Sequence, residues 1–241
     1  MTYIAHSIRS IIIYIITGLT FLIVGPILLL IILIQPSKIS AIIIPFCKLM
    51  VFLFGCRVIC FGKIPENQNF VIMANHVSFL DVFAIPSIFP TTKKFSAIAA
   101  SKNFKIPIYS TFLKKLRVIS IDRKNREQAI KGIRQAENIL KDNYDIVILP
   151  EGTRTLTGEL GSFKKGGFHL AQNTQANILP IVTKGLFKIK PRKGWLIKPG
   201  LINIYVGSEI ETQNKTIDEL LKETELSFTK LLTKKNNNEK N

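Results

Sequence analysis

Between Ile11 and Ile34 the chain runs through 24 residues without a charge, IIIYIITGLTFLIVGPILLLIILI. As a helix such a run is about 36 Å long, enough to cross a hydrocarbon core of roughly 30 Å and longer than the apolar core of a signal peptide. Pro26 lies inside it, where the missing N–H favours a kink and leaves open a helix that enters and leaves the same leaflet. A second apolar stretch, Ile39–Phe61, contains Lys48 and Arg57. It reads as a helix lying in the membrane interface, its two cations reaching toward headgroups. Residues 1–62 are therefore expected to form N-terminal membrane-anchoring helices. One base flanks the long run on either side, Arg9 before and Lys38 after, so charge does not set its orientation.

After Gly62 the pattern changes. Short apolar runs predict buried strands at Phe70–Ala74, Phe95–Ala100, Arg117–Ile121, Asp145–Leu149, Asn177–Thr183 and Leu201–Val206. Between them lie helical periods. Asn125–Lys141 places Ala129, Ile130, Ile133, Ala136, Ile139 and Leu140 on one face, with Glu127–Lys131 and Glu137–Lys141 as pairs one turn apart outside. Phe163–Thr174 reads as a helix in which His169 is a partly buried structural histidine. Thr216-Ile-Asp-Glu219 has the form of a capping box and opens a last helix with Ile217, Leu220, Leu221, Phe228 and Leu232 inward. Strands alternating with helices imply an α/β domain over residues 63–235, a mixed, largely parallel sheet covered by helices, followed by a solvated tail at 236–241.

Charge sharpens the picture. The 241 residues carry 33 lysines and arginines against 16 acids, a formal net charge of +17. Residues 1–62 hold no acid and only four bases, so +13 belongs to the rest. Ten bases and one acid lie between Lys93 and Arg126, and six bases with no acid between Lys184 and Lys198. Such a surplus suits an anionic partner, and beside a membrane segment it suits anionic phospholipid. Nucleic acid is not expected, since no recognition motif accompanies the charge. Cys47, Cys56 and Cys60 lie in the apolar stretch with no histidine near them, and read as small buried hydrophobes rather than a disulfide framework or a zinc site.

The chemistry narrows to two clusters. Gly161-Ser-Phe-Lys-Lys-Gly166 has phosphate-loop spacing, but Gly167-Phe168 follows where lysine and a hydroxyl residue are needed. No G-x-S-x-G elbow is present, and the cysteines sit in apolar sequence, so no covalent nucleophile stands out. His76 follows a buried strand directly, in Asn75-His-Val-Ser-Phe-Leu-Asp81, where a chain leaving a sheet enters a crevice. A carboxylate that accepts a hydrogen bond from Nδ1–H fixes the tautomer and leaves Nε2 free to remove a proton from a hydroxyl. Positions five apart differ by about 140° on a helix, so the pair requires a strand-to-helix turn. Asp81 also suits a plain N-terminal cap. The second cluster, Leu149-Pro-Glu-Gly-Thr-Arg-Thr155, follows another buried strand. Its turn exposes backbone N–H groups, Thr153 offers a hydroxyl, and Arg154 offers a planar fork that suits phosphate.

NHVSFLD, ISIDR at 119–123, LPEGTR and LPIV at 179–182 occur in the order of the glycerolipid acyltransferase motifs. Over roughly residues 62–210 the sequence resembles the 1-acyl-sn-glycerol-3-phosphate acyltransferase family. The resemblance implies His76 as the general base on the acceptor's sn-2 hydroxyl and Asp81 as its orienting partner. It also implies Glu151, Gly152, Thr153 and Arg154 as substrate-binding residues that shape the acceptor-phosphate site, and Arg123, at the Asp-Arg end of the family's second block, as a further substrate-binding residue. The expected partners are lysophosphatidic acid, acyl-CoA or acyl-carrier protein, and membrane phospholipid; no metal and no cofactor beyond the acyl donor is expected. The thioester donors place such a site on the cytosolic side of the cell membrane. One block departs from the family pattern. Where a lysine, an acidic residue and leucine are common, this chain reads Ala100-Ser-Lys-Asn-Phe104, and a glycine usual downstream of Pro107 is missing. Acylation of another lyso-lipid (a lyso-aminolipid or lysophospholipid), a non-catalytic binder of anionic lipid, and a hydrolase are the rival readings.

Overall fold

A computed structural model describes residues 3–106, 108–122 and 125–234. The chain opens with α1 (Tyr3–Ile34) and α2 (Ile39–Leu53), followed by β1 (Arg57–Phe61), β2 (Val71–Ala74), α3 (Asp81–Ala84), β3 (Phe95–Ala100), α4 (Tyr109–Lys115) and β4 (Ile119–Ile121). It continues through α5 (Arg126–Lys141), β5 (Asp145–Ile148), α6 (Gly166–Thr174), β6 (Ile178–Lys184), α7 (Leu186–Ile189), β7 (Leu201–Val206) and α8 (Ile217–Thr233). Among the described residues seven strands form one sheet in the order β1-β7-β6-β2-β5-β3-β4. Neighbours are parallel except β6 and β7. This is the mixed, largely parallel α/β sheet that the strand and helix pattern predicts.

Side chains alternate across the strands, so the sheet has two apolar faces. Val71, Met73, Ile146 and Ile148 pack with Ala136, Ile139 and Leu140 of α5, Phe168 and Leu170 of α6, and Leu220 and Phe228 of α8. Ile72, Ala74, Val147 and Ile181 face the other way, against Ile43, Ile44, Cys47 and Met50 of α2. Asn125 and Thr216 cap α5 and α8, the latter through a complete capping box with Glu219. α1 runs unbroken through Pro26. Both α1 and the segment Pro36–Leu53 are long and apolar enough to cross a membrane by length and composition. They differ in how much the domain covers them: 17% of the apolar window is buried in α1 and 44% in Pro36–Leu53.

Several expectations need correcting. Ile39–Phe61 is not one helix. It breaks at Gly55, whose φ of +72° suits a residue without a Cβ, and Arg57–Phe61 then pairs in parallel with β7 as an edge strand. The α/β domain therefore begins at Arg57 rather than 63, and α2 belongs to its core. Cys47 and Cys56 are buried, but Cys60 on that edge is exposed. Ile130 is exposed because α5 turns Gly132 toward the sheet instead, where Ile121 leaves no room for a Cβ. His169 is exposed on α6. The tail at 236–241 lies outside the described residues.

Gly185 closes β6 at φ +94°, and a Cβ there would stand 2.2 Å from the Leu201 carbonyl oxygen of the antiparallel neighbour β7. Gly185→Ala is expected to lower stability by an amount on the order of 1–3 kcal/mol for the backbone alone, more with the clash. Thermal unfolding of the detergent-solubilised protein measures it; an unchanged midpoint contradicts the strain assigned to this turn.

Candidate active site

β2 occupies the middle of the sheet, with β5 on one side and β6 on the other, all three parallel. Parallel strands deliver their C-terminal ends to one edge, so the segments after Ala74, Ile148 and Lys184 meet there. Asn75 fastens this edge. Its Nδ2 donates to the Thr183 carbonyl at 3.0 Å, and its Oδ1 accepts from the Thr183 N–H at 2.7 Å and the Thr183 hydroxyl at 3.1 Å.

The chain leaves β2 in a turn and becomes helical only at Asp81. That turn brings His76 and Asp81 together, which a continuous helix would not do. His76 Nδ1 lies 2.7 Å from Asp81 Oδ2. The same oxygen accepts from the N–H groups of Val77 at 2.9 Å and Ser78 at 3.0 Å. Asp81 thus caps the turn and orients the imidazole with one oxygen, while Oδ1 accepts nothing among the described residues. The carboxylate is 1% exposed and the histidine side chain 17%. An Nδ1–H donated to Asp81 leaves Nε2 with its lone pair, and Nε2 makes no hydrogen bond among the described residues.

From β5 the chain passes through Pro150 into a turn at Gly152, where φ is +72°. Glu151 is turned away from solvent. Its carboxylate points inward, 5% exposed, and accepts from the His76 N–H at 2.6 Å through Oε1 and from the Gly161 N–H at 2.8 Å through Oε2. It ties the histidine backbone to both ends of its own loop, and the Thr155 N–H adds a 2.9 Å bond to the His76 carbonyl. Burial pushes the Glu151 carboxyl above the ordinary carboxylate range despite those two donors. In this structure both Glu151 carboxylate oxygens are engaged by backbone N–H groups, so the side chain faces the loop interior. Thr153 and Arg154 lie on the open side of the turn, and the Arg154 guanidinium makes no hydrogen bond among the described residues. Arg123 lies outside the described residues.

Two neighbours were not singled out from sequence. Lys190 is buried over the Phe79 ring, and its carbonyl accepts from the Ser78 hydroxyl. Burial, followed by the charge of Arg154, pulls its pKa down. Arg192 donates to the turn that carries Arg154. The only trace of either in the sequence is the acid-free basic run from Lys184 to Lys198.

A histidine held by a buried carboxylate, next to a cationic turn at one edge of an α/β sheet, is an arrangement that can take a proton from a hydroxyl near an anion. A family model described as Acyltransferase matches residues 57–184, a little over half of the chain. The chain belongs to that family. The 1-acyl-sn-glycerol-3-phosphate acyltransferase of Saccharomyces cerevisiae is 31% identical over 182 residues, 73% of this chain and 58% of that protein. The Pseudomonas aeruginosa protein of the same name is 30% identical over 154 residues, 64% and 58%. The chain spans about half the length of the relatives it matches, 46% for one from Chlamydomonas reinhardtii and 33% for one from Arabidopsis thaliana. The crystal structure of a 1-acyl-sn-glycerophosphate (LPA) acyltransferase from Thermotoga maritima shares the fold, with a TM-score of 0.83 at 21% identity over 98% of this chain and 100% of that one.

Glu151→Gln separates positioning from folding. Glutamine offers only one acceptor to the two N–H groups, but it removes a buried charge. The raised carboxyl pKa means that the wild-type fold binds a proton more tightly than the unfolded chain, so its stability falls as pH rises between the ordinary and the raised value. At neutral pH the thermal midpoint of Glu151→Gln is therefore expected to stay within a few degrees of wild type. Turnover falls about 10- to 100-fold as His76 shifts. A full-rate variant contradicts the positioning role.

Proposed function

We propose that the protein is a 1-acylglycerol-3-phosphate O-acyltransferase. It moves a fatty acyl group from acyl-CoA or acyl-carrier protein to the sn-2 hydroxyl of 1-acyl-sn-glycerol-3-phosphate and makes phosphatidic acid. The observation that carries this reading is the 2.7 Å contact between His76 Nδ1 and Asp81, on a turn that the Glu151–Thr155 segment bonds through the His76 backbone. Names carried by the relatives support the choice of acceptor.

In the proposed step Nε2 takes the proton of the sn-2 hydroxyl as its oxygen attacks the thioester carbonyl. The imidazolium that forms is stabilised by the Asp81 carboxylate. Collapse of the tetrahedral intermediate breaks the C–S bond, and the leaving sulfur recovers the proton from His76. No enzyme nucleophile enters, in keeping with the missing elbow. The reaction needs no metal or cofactor beyond the thioester donor. Arg154, and the hydroxyl of Thr153, face the phosphate end of the acceptor. α1 and α2 hold the domain at the membrane from which the acceptor comes, and donor supply places the site on the cytosolic face.

Membranes containing wild type or His76→Ala, given an acyl thioester and lysophosphatidic acid, are compared by mass spectrometry. Phosphatidic acid is expected from wild type, with the rate down about 10²- to 10⁴-fold in His76→Ala. Equal product from both removes His76 as the base. Free fatty acid without acylated lipid points to a hydrolase. Acylation of a different lyso-lipid keeps the mechanism and overturns the acceptor.

A further inference from the structure

The family match ends at Lys184, yet the chain crosses the site once more. After α7 it forms a loop, Lys190–Lys198, held at many points. Ser78 Oγ donates to the Lys190 carbonyl at 2.7 Å. Lys190 Nζ closes the loop on itself, donating to the carbonyls of Pro191 at 3.1 Å and Gly194 at 2.7 Å. α1 grips the far side: Tyr14 donates its hydroxyl to the Trp195 carbonyl at 2.7 Å, and the Ile197 N–H donates to Ser10 Oγ at 3.0 Å. The loop is thus strapped between the apolar helix and the turn after His76.

This frame sets Arg192 on the turn after β5. Its Nη1 donates to Thr153 Oγ1 at 2.9 Å and to the Arg154 carbonyl at 3.1 Å, which uses both hydrogens of that nitrogen. Nε and Nη2 make no hydrogen bond among the described residues, and the side chain is exposed. Three N–H groups of a planar fork therefore remain unspent beside Arg154. Among the described residues no carboxylate pairs with Arg154, Lys190 or Arg192. Three like charges gathered without a counter-ion repel one another, and a dianion relieves that repulsion. Thr153, accepting from Arg192, keeps its own hydroxyl hydrogen to donate.

We propose that Arg192 is a specificity-determining residue: with Arg154 it forms a two-arginine grip on the phosphate of the acyl acceptor, and the Lys190–Lys198 loop holds it there. The inference rests on the proposed acyl transfer to a phosphate-bearing lyso-lipid, and it adds a residue beyond the family match to that site.

Purified full-length protein with an acyl-CoA donor and varied lysophosphatidic acid tests it through Arg192→Ala and Arg192→Lys. Arg192→Ala is expected to raise KM for lysophosphatidic acid about 10- to 100-fold, the range of one or two lost charge-assisted hydrogen bonds, with kcat within about two-fold. Arg192→Lys restores charge without the fork and recovers part of the loss. Thermal midpoints of all three proteins should agree within a few degrees. A wild-type enzyme that acylates lysophosphatidic acid, paired with an unchanged KM in Arg192→Ala, overturns the inference alone. So does a variant that loses kcat and melting midpoint together, since that marks a structural brace. Wild type that acylates no phosphate-bearing acceptor overturns the proposed function and this inference with it.

Discussion

One carboxylate oxygen organises the site. Asp81 Oδ2 accepts from the His76 ring and from the N–H groups of Val77 and Ser78. A buried anion is costly unless donors surround it, and here the donors are the turn and the ring. Removing the negative charge would weaken the bonds from the Val77 and Ser78 N–H groups and free the ring to choose its tautomer. Holding the turn and orienting the ring are therefore a single arrangement, carried by a side chain on the first residue of α3.

The rest of the site is built outward from that turn by parallel topology. β5 and β6 flank β2, so their C-terminal loops reach His76 without long excursions. Each loop then bonds to the β2 turn: the Glu151 carboxylate and the Thr155 N–H to the His76 backbone, and the Lys190 carbonyl to the Ser78 hydroxyl. The loop after β6 is in turn held by α1 through Ser10 and Tyr14. A helix apolar enough for a membrane thus touches the same loop that places Arg192.

Much of this was legible in sequence because its signals are local. Buried strands of four to seven residues, the capping box at Thr216, and the spacing from His76 to Asp81 each depend on neighbours along the chain. What was missed depends on three dimensions. Arg57–Phe61 follows an apolar helix and shares its composition, and only Gly55 marks the break. Glu151 sits in a polar turn beside Arg154, and nothing in the order of residues tells which side chain faces the interior. Ile130 and Gly132 exchange expected places because α5 must approach Ile121 closely. Arg192 is one base among six, and only the hydrogen bonds to Thr153 and the Arg154 carbonyl distinguish it from the others.

The central claim, that Asp81 acts through His76, is tested most directly by a double-mutant cycle on the rate of acyl transfer. The four proteins are wild type, Asp81→Asn, His76→Ala and the double variant. With His76 present, Asp81→Asn is expected to slow the reaction by about 10²-fold or more. In the His76→Ala background the same change should alter the residual rate by no more than about three-fold, because the group it serves is already gone. An Asp81→Asn effect of the same size in both backgrounds would contradict the account and give Asp81 a role independent of the histidine.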